Sequence, residues 1–133
     1  MSTGIRDDRG SVSVEAALWL VPALIVVLGL VQLALWWAVV DTCSAAAQQG
    51  LDTGRVLGAT PADATQQATG YLARATGLAH DPRVSTAGTT DTVMRISVSA
   101  EVTMVVPIPG LSWHVERAAV GAREHRTNPW GTA

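Results

Sequence analysis

The feature that most constrains this chain is a run of 25 residues, Ala16 to Val40, without a single charge. Its one strongly polar member is Gln32. As a helix at about 1.5 Å per residue the run reaches roughly 37 Å, enough to cross a hydrocarbon core of about 30 Å with some tilt. A membrane-spanning helix is the expectation. Pro22 removes one backbone donor and should loosen it, which such helices tolerate where neighbours satisfy the freed carbonyl. Trp19 near one end, and Trp36 and Trp37 near the other, fall where aromatic rings favour the membrane–water interface. Against the entrance of the run stands a carboxylate, Glu15, five residues after Gly10. A charge in a spanning segment costs about 2.5–3.5 kcal/mol at the centre and less near the ends. A simple anchor has no need of one.

Gly10-Ser11-Val12-Ser13-Val14-Glu15 followed by a long apolar helix is the pattern that prepilin peptidases cut, after the glycine. Gly10 and Ser11 are thus the candidate cleavage site, and Glu15 becomes the fifth residue of a mature chain. With Asp8-Arg9 ahead of this pattern and the small-residue stretch Ala45-Ala46-Ala47-Gln48-Gln49-Gly50 behind the helix, the chain resembles the TadE-like minor pilins of tight-adherence (Flp-type) type IV pili. The resemblance continues more loosely through the C-terminal strands. It departs at Ala16, where these pilins often carry an aromatic residue. What it implies is a structural subunit of pilus assembly, a substrate of the prepilin peptidase, with Glu15 used in recognition between subunits. The implied partners are other pilins, a polytopic platform membrane protein and a cytoplasmic secretion ATPase.

A length of 133 residues supports one domain, with about 90 residues following the apolar run. The formal net charge of −2 gives no basic footprint for nucleic acid. All nine cations are arginine, and phenylalanine is absent, which reads as the codon bias of a GC-rich bacterial genome. The single cysteine, Cys43, rules out an internal disulfide framework and reads as a small residue on a helix. Placed just past the run, its thiol offers a native probe of topology.

The expected organisation is a leader over 1–10, a transmembrane and assembly helix over 11–40, an extracytoplasmic pilin-like domain over 41–122 and a flexible tail over 123–133. The first helix should continue through Asp41 to Leu57, placing Ala47, Leu51 and the Gly54/Arg55 region along one side. Gly50, Gly54 and Gly58 recur every fourth residue, suited either to close helix packing or to a frayed end. Thr60-Pro61-Ala62-Asp63 is a helix start, with a capping threonine, proline at the first position and an acid three residues on. Ala64, Ala68, Tyr71, Leu72, Ala75 and Leu78 then form a thin apolar face. Gly77 is its stop, and His80-Asp81-Pro82 reads as a break. From Met94 the apolar period becomes two, through Ile96, Val98, Ala100, Val102, Met104 and Val106, the mark of a half-buried antiparallel strand. Pro107 to Gly110 is a turn. Leu111, Trp113 and Val115 share a face of a returning strand reaching Val120, and Val84 to Ala87 is a short edge strand. The fold class is α+β: a long N-terminal helix continuing into a small pilin-like domain with a second helix and a two- to three-stranded antiparallel sheet.

No catalytic constellation is legible. His80, His114 and His125 are scattered, and His114 with Glu116 on one strand face is too small a set for a metal. There is no Gly-x-Ser-x-Gly elbow, phosphate-binding glycine loop or Cys-x-x-Cys pair. No enzyme, metal or cofactor is expected. The location expected is the cytoplasmic membrane, single-pass, with the N-terminus inside and the C-terminal domain outside, and incorporation in a pilus. Two alternatives stand beside the pilin reading: a single-pass anchored binding protein, and an exported one whose apolar run is a signal cut after Ala47.

Overall fold

The computed structural model describes residues 9–75 and 77–124. The apolar run belongs to one helix, α1, Arg9–Gly54, of 46 residues, which passes unbroken through Pro22. A second helix, α2 (Pro61–Arg74), and three strands, β1 (Ala79–Ser85), β2 (Val93–Val102) and β3 (His114–Ala122), complete the order ααβββ. The strands form one antiparallel sheet in the order β1-β2-β3. This is the α+β, pilin-like architecture, with three strands realised.

Alternation in β2 builds the core. Met94, Ile96, Val98, Ala100 and Val102 are buried, while Arg95, Ser97, Ser99 and Glu101 point away. From β3 only Val115 and Ala119 join them, opposite Ala100 and Ile96 in register. The sheet lies against the last third of α1, whose Val39, Val40, Cys43, Ala46, Ala47 and Leu51 are buried. Leu35 and Trp36 pack against the same core, so the folded domain begins before Asp41. Trp36 and Trp37 meet edge-to-face, with ring centroids 6.0 Å apart.

Two of the three evenly spaced glycines are contact points. A Cβ on Gly50 would meet Ile96 Cδ1, and would lie 3.0 Å from the Ala64 carbonyl oxygen and 3.1 Å from Ala68 Cβ. One on Gly54 would lie 2.9 Å from Ala64 Cβ and 2.7 Å from Met94 Cε. α2 therefore docks antiparallel to α1 with alanines seated on glycines, the close approach that small residues permit. Gly58 is different: its φ of +86° makes the turn after α1. α1 itself ends at Gly54 and not at Leu57: the Val56 N–H bonds three residues back, to the Thr53 carbonyl at 3.4 Å, and no longer four.

The start of α2 is as read. Thr60 caps it: its hydroxyl accepts from the Asp63 N–H, and the Asp63 carboxylate accepts from the Thr60 N–H at 2.8 Å. Those bonds to the ionised form hold the Asp63 carboxyl below the usual carboxylate range. Ala64, Ala68 and Leu72 are buried and Tyr71 half-buried, but the helix stops at Arg74, so Leu78 lies beyond the apolar face and is exposed.

The strand boundaries also differ from the sequence reading: where an edge strand over Val84 to Ala87 is expected, β1 spans Ala79–Ser85. His80-Asp81-Pro82 does not break the chain; it bends it. β1 starts at Ala79, pairs with β2 on both sides of an irregularity between His80 and Arg83, and takes Asp81 to φ +45°. The Asp81 carboxylate accepts from the Arg83 guanidinium at 2.8 Å across this bend. β2 ends at Val102, short of Val106, because the chain turns onto α1: the Gln32 side-chain amide donates to the Thr103 carbonyl at 3.3 Å, and its oxygen accepts from the Val105 N–H at 2.9 Å. β3 accordingly starts at His114, leaving Leu111 and Trp113 in the loop. The turn at Pro107 to Gly110 is present, closed by the Leu111 N–H to the Ile108 carbonyl at 3.1 Å with Gly110 at φ +83°.

Of the tail, Arg123 and Glu124 are tied to the domain: Arg123 donates through its guanidinium to the Ala59 carbonyl and Glu124 through its N–H to that of Arg55. Residues 125 onward, His125 included, and the expected leader up to Asp8 lie outside the described residues.

Candidate assembly site on the N-terminal helix

α1 has two unlike halves. Beyond Leu35 one side is buried in the domain; residues 13–27 are exposed all round, Val14, Leu18, Trp19, Leu24 and Ile25 among them. A helix apolar on every face is covered by a protein core or by lipid. Here none of the most apolar window is covered by the chain itself. One N-terminal helix is thus long and apolar enough for a membrane span or a signal.

Gly10, Ser11 and Glu15 all lie on the helical backbone of α1. Glu15 is exposed, one turn after Ser11 and at the edge of the apolar surface. Residues i and i+4 share a helix face, so the Ser11 and Glu15 positions stack about 6 Å apart along the axis.

Among the described residues the other ionisable groups are spread over the helices and the sheet. His80 and His114 flank Glu101 in register across the three strands, and only His114 comes within ion-pair range of it, at 3.6 Å. Glu116 shares the exposed face with His114. Among the described residues no group of three side chains is placed to hold a metal ion.

Cys43 is not the accessible probe its place after the apolar run suggested. It is fully buried against the sheet, and burial pushes the thiol pKa up, opposed in part by the Arg117 guanidinium. A buried, protonated thiol is inert until the core opens. A membrane-impermeant maleimide should therefore label Cys43 at least about a hundredfold more slowly than a cysteine at exposed Gln48, and fully in denaturant. Equal rates in the native protein would contradict this packing.

What sequence reasoning missed is Gln32. It stood out as the only strongly polar residue of the run, and its role is to hold the β2–β3 loop against the helix. The signal available was a second charge-free stretch, Met104 to Trp113, whose only polar side chain is Ser112.

An all-apolar helix joined to a small α+β domain defines a pilin-like chain. In the comparison with known families, the model of the TadE-like protein family matches residues 10–52, less than half of the chain. The match opens at Gly10 and takes in Glu15, the exposed half of α1 and nearly all of the half that supports the domain. α2 and the strands lie outside it, as do Asp8 and Arg9. No curated protein and no solved structure matches the chain.

Proposed function

We propose that this chain is a minor pilin or pseudopilin-like structural subunit of a tight-adherence pilus, cut by a prepilin peptidase between Gly10 and Ser11. The observation that carries the reading is the exposed apolar half of α1, led in by the Gly10–Glu15 spacing within a TadE-like segment. In this reading residues 1–10 are the leader, 11–40 the membrane and assembly helix, 41–122 the domain outside the cytoplasmic membrane and 123–133 the tail. The last turns of the span are shared with the domain, because Leu35, Trp36, Val39 and Val40 pack into its core. The subunit waits in the cytoplasmic membrane, N-terminus inside, and is then drawn into a fibre by its helix. Its partners are the peptidase, other pilins, the platform membrane protein and the secretion ATPase; it binds no nucleic acid or cofactor and catalyses nothing itself.

The alternative is an exported or anchored binding protein. A signal cut after Ala47 would remove Val39, Val40, Cys43, Ala46 and Ala47 from the buried core. Losing buried aliphatic side chains costs about 2–5 kcal/mol for each large one, which a domain this small does not survive. That favours retention of the whole of α1. The test is Gly10→Val in cells with an active prepilin peptidase. The variant should accumulate at the precursor mass while the wild type is shortened by its leader. The same mass for both would sink the proposal.

A further inference from the structure

Among the described residues, the loop from Thr103 to Trp113 brings the domain against the apolar half of α1. Gln32 grips it by both ends of its amide, at Thr103 and Val105. A groove of about 190 Å³ then separates Leu28 and Gly29 of α1 from Ile108, Leu111 and Trp113 of the loop. The loop contains no charge, yet Val106 and Ile108 are 52% and 53% exposed, with Val105, Leu111 and Trp113 exposed beside them. Charged and titratable groups resume at its two feet, Glu101 and His114. The apolar surface of the loop is thus continuous with that of the helix, at the same level along the axis.

We propose that this loop is a second membrane contact, seated in the outer-leaflet interface beside the helix. The inference rests on the reading that α1 spans the bilayer. Depth supports it. From Glu15 to Gln32 is roughly 25 Å of helix at about 1.5 Å per residue. With Glu15 at the inner edge of a hydrocarbon core of about 30 Å, Gln32 lies roughly 5 Å short of the outer edge. Interfacial elements bury their apolar side by about 5–10 Å, the level at which Gln32 holds the loop. Four positions of the loop backbone present no free N–H, as an interfacial seat favours. Non-helical chain enters a bilayer only where its polar groups are satisfied. Pro107 and Pro109 have no N–H, the Val105 N–H is bonded to Gln32 and the Leu111 N–H to the Ile108 carbonyl. Gln32 gains in return, since its amide would otherwise stand unpaired in the apolar run. Trp113, at the foot of the loop, is a residue type that favours the interface. Such a contact fixes the orientation of the domain on the membrane until the subunit is extracted.

The test uses the full chain in phosphatidylcholine–phosphatidylglycerol vesicles, with Cys43→Ala and one new cysteine carrying an environment-sensitive fluorophore. Leu24→Cys reports the span, Ile108→Cys and Leu111→Cys the loop, and Thr90→Cys the exposed β1–β2 turn. Ile108 and Leu111 should be quenched by lipids with a nitroxide high on the acyl chain and protected several-fold from aqueous iodide relative to Thr90. Leu24 should be quenched best by deep nitroxides. A deep Leu24 with loop sites as open to iodide as Thr90 would overturn the loop contact and leave the span intact. A Leu24 that no lipid nitroxide quenches would overturn the span, and the loop contact with it. Protection of the loop that disappears as protein is diluted in lipid would assign the surface to a second copy of the chain, against the proposal.

Discussion

Glu15→Ala should leave the chain inserted and cleaved, yet unable to join a fibre or to co-purify with other pilins. After the proposed cut the α-amino group of Ser11 and the Glu15 carboxylate lie one turn apart, about 6 Å in rise. Both stand at the edge of an apolar surface, where an unpaired charge is penalised as it is drawn towards lipid. In the proposed fibre a neighbouring mature subunit would present the opposite charge at the same depth, so that Glu15 of one chain would pair with the Ser11 amine of the next. Attraction at low dielectric is offset by desolvation, and the value of the contact lies in fixing register. Removing one partner leaves the other charge buried and alone, at a cost of about 3–5 kcal/mol for a buried pair. Folding should not change, because Glu15 touches no part of the domain core. Assembly of the variant at wild-type levels would sink the pairing and leave the cleavage reading standing.

Gly50→Val should destabilise the domain by about 1–3 kcal/mol, the usual range for overpacking a tight core. The new side chain has no direction in which to yield. Ile96 Cδ1 can rotate away, but the Ala64 carbonyl and Ala68 Cβ belong to the α2 backbone and its first side-chain atom. α2 must therefore lift from α1, and Leu72 with it. For a domain whose total stability is about 5–15 kcal/mol the loss is large. Gly70→Ala is the matched control. It lies inside α2, and the nearest atom to its added Cβ is the far end of Arg74, at 3.8 Å. Alanine there should stabilise by up to about 1 kcal/mol through helix propensity. Urea melts of both variants decide the matter: opposite shifts in midpoint are expected, and a Gly50→Val midpoint at or above wild type would contradict the packing.

The contrast shows what the sequence made legible. Periodicity marked the buried face of β2, the capping box marked the start of α2, and the charge-free run marked α1; each is a local signal that tertiary structure then used. The four-residue glycine spacing was ambiguous because a glycine under a neighbouring helix and a glycine making a turn look alike in one dimension. Gly50 and Gly54 proved to be the first kind, Gly58 the second. His80-Asp81-Pro82 misled for a related reason: residues that forbid regular pairing can stop a strand or put a bend in it. The end of β2 was unreadable locally, since alternation runs on through Met104 and Val106 while the chain is diverted by Gln32, 71 positions upstream of Thr103. The burial of Cys43 also depends on a distant strand. Of the candidate site, the order Gly10, Ser11, Glu15 is wholly a sequence signal, and the structure adds the unburied helix that follows it.

The most direct test of the central claim is the N-terminal residue of the protein taken from its native membrane, read by intact mass and N-terminal peptide sequencing. The expected chain begins at Ser11, with α1 otherwise whole. A chain beginning at Met1 or Ser2 would make the apolar run a plain anchor. One beginning at Gln48 would make it a signal, and either result would contradict maturation as a pilin.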